Sequence, residues 1–370
     1  MNNLNYSLLS KLIQVNSWTK NPDGVNLSQE IFAEWMSNIG YKVAIYSEEN
    51  IGNHYHFISP KKDGKKLLLL GHMDTVFPPD TFEGFKEDDE WIYGAGVCDM
   101  KGGNFVAYMA LKQVKEELGE IANIDMLIVS DEETGSDNSK HLTAKIAQNY
   151  DYCLVYEAAG KELEVVTARK GVGTFFIDIE GKAAHAGNNY TKGADANLEA
   201  SIKLQKLVAL TNLEKGTTLN VGKIEGGIGA NTISPKAKLT FELRYTQESE
   251  RDRVLQEIDE IVANSYVNGT ISTLSGGIQR DVMQETKEQQ ELIKFIEKAT
   301  NQKLKTEHRG GVSDANIVAS IGIPTLDGFG PYGDGDHTVN ERAKKDTFNQ
   351  RIDLSTKIFK AIIDESYSVY

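Results

Sequence analysis

Three short runs made almost wholly of apolar residues, KKLLLLGHMD, IDMLIVSDEE and YDYCLVYE, fall within the first 160 or so residues and alternate with segments of helical spacing. A run that is apolar at every position, and too short for a buried helix, reads as a strand covered on both faces. Strands covered in that way belong to a mostly parallel sheet flanked by helices. YKVAIYS and HYHFIS read as two further strands. The helical segments are LNYSLLSKLIQVNSW, then LSQEIFAEWMSNIG with an Asn26 cap and Gln29 three residues on, then GNFVAYMALKQVKEELG and SKHLTAKIAQNY. The expected class is therefore α/β, a mostly parallel doubly wound sheet, in which ligands collect beyond the carboxyl ends of the strands.

A chain of 370 residues exceeds what one core usually supports, so two domains are expected. The pattern changes near Gly171. GVGTFFIDIEG reads as a strand, ANLEASIKLQKLVAL as a helix, TTLNVGKIEGG and AKLTFELRY as strands, RDRVLQEIDEIVANSY as a helix and STLSGGIQRDVM as a strand. That order is the split βαβ unit of a ferredoxin-like α+β sandwich. Residues 171–284 are expected to form this inserted domain, and 1–170 with 285–370 a discontinuous catalytic domain. Helices resume at QQELIKFIEKATN, at ANIVASIG and from Lys344 onward.

Forty Lys and Arg against 54 Asp and Glu give a net charge of −14, which repels phosphate backbones and argues against a nucleic-acid partner. No apolar run approaches the roughly 20 residues that span a bilayer. The start lacks the basic region, apolar core and cleavage site of a secretory signal, and Cys98 and Cys153 suggest neither a disulfide framework nor a zinc finger. A cytoplasmic location without membrane association is the expectation.

The strand ends and one late loop carry metal-binding side chains: His72, Asp99, Glu132 and Glu133, Glu157 and His337. Each has an ordinary structural reading when taken alone. A histidine at a strand end is commonly a hydrogen-bonded structural residue, Asp99 could cap the helix after it, and Asp131-Glu132-Glu133 could be a solvated turn. Together they argue otherwise, because two imidazoles and several carboxylates at one sheet edge can bind a pair of zinc-like ions able to hydrolyse an amide. Asp74, two residues from His72 on an extended segment, can accept from its ring and orient the other nitrogen. If the backbone is still extended at 132–133, one Glu binds metal and the other faces water; periodicity leaves open which is which.

GHMDTVFP, GAGVCDMKGG, SDEETGS, VYEAAG, GKAAHAG and DHTVNE together resemble the M20 family of metallopeptidases over nearly the whole chain, most of all its glutamate carboxypeptidase branch and the acetylornithine and succinyl-diaminopimelate deacylases near it. The resemblance implies that His72 and Glu157 hold one zinc and Glu133 and His337 the other, with Asp99 bridging through a turn whose following peptide is cis. It implies that Asp74 supports His72, and that Glu132 is the general base serving a water held between the ions. Two Zn²⁺ per subunit are implied, and the same ligands would accept Co²⁺ or Mn²⁺. In the insert, which the resemblance makes a lid and homodimerisation domain, His185 would reach a neighbouring subunit's substrate and steady the oxyanion. Asn231 and Arg244 would bind substrate, and Gly310 and Gly311 would let backbone approach it. Arg244 also suits that task chemically, since its planar fork matches a carboxylate.

Glu157 is followed by Ala-Ala-Gly where many relatives have proline, a departure from the pattern, and a Glu in that place resembles the carboxypeptidase and deacylase members. Ser313 or Asp314 reads as a helix cap, and His54, His56, His141 and His308 read as ordinary surface or strand histidines. The resulting expectation is a di-zinc hydrolase cleaving the amide next to a free amino-acid carboxylate. Its substrate would be a small peptide, with a C-terminal glutamate preferred, or alternatively an N-acyl amino acid; a non-catalytic metal-binding relative is the remaining reading.

Overall fold

The computed structural model describes residues 4–364, which divide into two compact units. The first comprises the chain up to Ala168, Glu285–Arg309 and Ser313 onward; the second comprises Arg169–Gln284 and Gly310–Val312.

The first unit is built on a six-stranded sheet whose order is β1 (Lys42–Tyr46), β2 (His54–Ile58), β4 (Ile124–Val129), β3 (Leu67–His72), β5 (Tyr152–Val155) and a short edge strand Thr325–Leu326. β4, β3, β5 and the Thr325 edge run parallel, and the β1–β2 hairpin adds antiparallel. Every residue of β3 and β4 is buried, as the unbroken apolar runs require of strands covered on both faces. The helices Ser7–Ile13, Pro22–Asn38, Lys101–Leu118 and Lys345–Ile363 supply that cover through Leu12, Phe32, Phe105, Leu111, Phe348 and Phe359, all fully buried or nearly so. Each such side chain contributes about 1.5–3 kcal/mol by leaving water.

The second helix begins earlier than its sequence signal. Asn21, and not Asn26, is the N-cap, accepting from the Gly24 N–H, and Pro22 takes the first helical position, where its missing N–H costs nothing. Asn26 instead accepts from Asn53 N at 2.8 Å, and Gln29 donates to Ile128 O at 3.1 Å.

The second unit is a four-stranded antiparallel sheet of β6 (Gly171–Glu180), β7 (Thr218–Gly226), β8 (Lys236–Tyr245) and β9 (Ile271–Arg280), in the order β7-β8-β6-β9, with helices Ala196–Val208 and Glu248–Ala263. β8 alternates strictly: Ala237, Leu239, Phe241, Leu243 and Tyr245 are buried, while Glu242 and Arg244 share the opposite face. Among the described residues no helix is long and apolar enough to cross a membrane.

Candidate metal centre

In the first unit, the ends of parallel strands β3, β4 and β5 deliver His72, the Asp131–Thr134 turn and the Tyr156–Glu157 segment to one edge of the sheet. Asp99 arrives on the turn that leads into helix Lys101–Leu118, across a cis Asp99–Met100 peptide. The N-cap of that helix is Met100 and no side chain caps it, so the capping reading of Asp99 does not hold. Two glycines explain the fit. A Cβ on Gly102 would stand 2.0 Å from Val97 O, and one on Gly103 only 1.8 Å from Tyr156 O, so any larger residue would push the helix start off the segment carrying Glu157. His337 comes from a loop between paired strands Gly333–Asp334 and Arg342–Lys344, and its own φ is +60°.

Asp99 is the meeting point. Its Oδ1 lies 3.1 Å from His72 Nε2 and its Oδ2 3.3 Å from His337 Nε2. His72 Nε2 also faces Glu157 Oε1 at 3.6 Å, and His337 Nε2 faces Glu133 Oε2 at 3.0 Å. Two clusters result, His72–Asp99–Glu157 and Asp99–Glu133–His337, each with its ligand atoms within 4.8 Å of one another and Asp99 in common. The other nitrogen of His72, Nδ1, lies 3.0 Å from the Asp74 carbonyl and 3.4 Å from its carboxylate. Asp74 is fully buried and also accepts from Thr19 Oγ1 at 2.7 Å, from Glu132 N at 3.3 Å and from Glu133 N at 3.2 Å. One carboxylate thus orients the imidazole and pins the acidic turn.

That turn is not extended. Glu132–Thr134 form a single 3₁₀ turn closed by Gly135 in the left-handed region, so alternation along a strand does not apply. Curvature of the chain sorts the two acids instead: Glu133 joins the His337 cluster, whereas Glu132, buried, belongs to neither.

The electrostatics show a site shaped for positive charge. Burial works against a charged His72, yet its bonds to Asp74 and Asp99 and the charge of Glu157 prevail and hold its proton well above the usual imidazole range. Asp99 and Glu133 push His337 up to about 11. Burial opposes ionisation of Asp99, but its two imidazole partners keep it below the ordinary carboxylate range. Burial, then the Asp99 charge, pushes Glu133 up to about 8 and Glu157 well above its usual value. Two imidazoles with three carboxylates are a donor set that zinc, cobalt or manganese accepts.

The other expected residues lie in the second unit. His185 is exposed; its Nδ1 accepts from Gly187 N and Asn188 N, both at 3.2 Å, so in the neutral ring Nε2 carries the proton and is a donor. Ala186 N donates to Asn231 O, which sets the His185 and Asn231 segments side by side. Arg244 is not a free solvent-facing arginine: its Nε and Nη2 donate to Glu242 at 2.7 and 3.3 Å, and Nη1 to Gly310 O at 2.9 Å. Gly311 O accepts from Arg169 in the same unit. No neighbour within 4 Å obliges residue 310 to be glycine. Sequence reasoning missed Thr19 and Glu341, which act on the site through polar contacts from far along the chain; the latter accepts backbone N–H groups of the Asp99 turn. Of the histidines first read as ordinary, His54 and His56 are buried and not on the surface; burial lowers both, and His56 Nε2 sits 3.1 Å from the Tyr150 hydroxyl.

A mainly parallel α/β unit, interrupted in sequence by an α+β unit, thus carries two carboxylate–imidazole clusters whose residue types can hold metal ions. The family model of peptidase family M20/M25/M40 matches residues 68–361, and the chain belongs to that family. It is a hydrolytic enzyme. The chain is 27% identical over 341 residues to carboxypeptidase G2 of Pseudomonas sp. (strain RS-16), covering 89% of this chain and 82% of that protein. It is 26% identical to succinyl-diaminopimelate desuccinylase of Hydrogenovibrio crunogenus, covering 90% and 92%. Among solved structures, aminopeptidase PepT of Bacillus cereus ATCC 10987 superposes with a TM-score of 0.80 at 22% identity, covering 96% of this chain and 98% of that one.

Proposed function

We propose that this protein is a two-metal hydrolase that cleaves the amide bond next to a free amino-acid carboxylate, acting as a carboxypeptidase or, alternatively, as an N-acyl amino acid deacylase. The observation that carries the proposal is Asp99 facing His72 with one oxygen and His337 with the other, each imidazole having a carboxylate of its own. His72 and Glu157 would hold one ion, Glu133 and His337 the second, and Asp99 would serve both. The names of two relatives, a carboxypeptidase and a desuccinylase, support the substrate class.

When bound, the ions supply Lewis acidity to a water and to the carbonyl under attack, and zinc is the first candidate. Glu132 takes the proton from the attacking water and returns it to the departing amine. Asp74 keeps His72 in the tautomer whose Nε2 faces the ligand cluster. His185, from a second copy of the chain in a homodimer, donates through Nε2–H to the oxyanion. Arg244 makes three hydrogen bonds here and a guanidinium has five N–H groups, which leaves it donors for a substrate carboxylate, with Asn231 and the Gly310–Gly311 backbone beside it in this role. The discriminating experiment is hydrolysis by metal-replete protein of a panel of folyl-glutamate, N-acetylated and N-succinylated amino acids, and simple dipeptides. Turnover confined to substrates with a free carboxylate next to the amide is expected. Equal turnover of the carboxylate-amidated forms would overturn the reading, and no metal-dependent turnover at all would favour a non-catalytic relative. Sedimentation as a fully active monomer would remove the role of His185.

A further inference from the structure

The two loops that carry Asp99 and His337 are joined by a third acid. Glu341 is 1% exposed, and both of its oxygens are used: Oε2 accepts from Gly96 N at 2.9 Å, and Oε1 accepts from Cys98 N at 3.0 Å and Asp99 N at 3.1 Å. Its backbone is stitched in the same way, since Glu341 O accepts from Gly94 N and Glu341 N donates to Thr338 O. Four residues upstream, His337 holds a left-handed φ of +60°, a conformation that a non-glycine residue keeps only where its surroundings impose it. The loops also touch directly: a Cβ on Gly333 would stand 2.4 Å from Cys98 Cβ. By contrast, His72 ends the packed parallel strand β3, and Glu157 follows the end of β5 by two residues.

We propose that Glu341 is a positioning residue that clasps the Asp99 turn to the His337 loop, and so fixes His337 relative to the Asp99 carboxylate that both clusters share. This rests on the two-metal reading. The clasp is geometric: the carboxylate reaches three N–H groups at once, a task for which one methylene less is too short.

The test is a titration of metal-free protein with Co²⁺, followed by visible absorption and by bound-metal content, on wild type, Glu341→Gln and Glu341→Asp, with melting curves of the metal-free forms. Wild type is expected to take up two equivalents. Both variants should lose about 10–100-fold in the weaker equivalent, the scale on which supporting partners act, and less in the tighter one, which also uses Asp99. Metal-free melting should stay cooperative. Wild-type-like binding by Glu341→Asp would reduce the role to charge alone and overturn the proposal, as would equal weakening of both equivalents. Loss of a cooperative melt in both variants would make Glu341 a folding residue and overturn it too. A wild type that binds fewer than two equivalents would sink the two-metal reading itself, an outcome visible before any variant is made.

Discussion

His72 and Asp99, 27 residues apart, meet at 3.1 Å through Nε2 and Oδ1, and the ring's opposite nitrogen is held by Asp74. The contact exists because β3 ends where the glycine-flanked turn before helix Lys101–Leu118 begins. Consequences for metal binding, stability and turnover follow from it.

Replacing Asp74 with alanine removes the acceptor for Thr19 Oγ1, Glu132 N and Glu133 N as well as the partner of His72. Metal affinity is expected to fall about 10–100-fold. Each buried donor left without a partner adds about 1–3 kcal/mol of destabilisation. Metal content after dialysis and urea denaturation of the metal-free protein read the two effects separately, and Asp74→Asn should recover part of the stability and little of the metal affinity.

Acidity sets a second expectation. Burial raises Glu133 from its usual 4.5 to about 8, and raises Glu157 as well, so the folded metal-free protein holds protons that the unfolded chain has released. Stability contributed by those protons is present below the ordinary carboxylate range and drains away as pH rises toward 8. Metal-free protein should therefore melt at lower temperature at pH 8 than at pH 6, metal should restore the loss, and metal uptake should release protons in buffers of differing ionisation enthalpy. A metal-free form that gained stability over that interval would contradict the assignment.

Gly103→Ala should be destabilising by about 1–3 kcal/mol, because its methyl would collide with the Tyr156 carbonyl. It should also weaken metal binding through Glu157, the next residue. Gly277→Ala, in the second unit with open space around it, is the control and should change neither.

Glu132→Gln keeps the shape of the turn and removes the proton acceptor. A drop in kcat of about 10²–10⁴-fold with metal content unchanged is expected, the usual worth of a general base. A variant that turns over at the wild-type rate would transfer the role to another group.

The sheet class was legible because runs such as LLLLGH write burial on both faces in their composition, and His72, Glu132, Glu133 and Glu157 follow such runs; Asp99 and His337 lie in glycine-rich loops and stood out only by their motifs. Periodicity could not say which of Glu132 and Glu133 turns toward His337, since a 3₁₀ turn replaces the strand at that point; only the family resemblance pointed to Glu133. Asn26 misled because a good cap residue preceded a good Gln29, while Pro22 marked the true start one turn earlier. Glu341 was hidden for a different reason: its partners are backbone N–H groups on a distant turn, which no side-chain pattern announces. Gly310–Val312 group with the second unit although they lie outside the inserted segment, because Gly310 O and Gly311 O accept from Arg244 and Arg169.

The central claim is that Asp99 is shared between two ions, and anomalous diffraction from crystals grown with zinc addresses it most directly. Two peaks flanking the Asp99 carboxylate, one beside His72 and Glu157 and the other beside Glu133 and His337, are the predicted result. A single peak, or metal bound without Asp99, would contradict it.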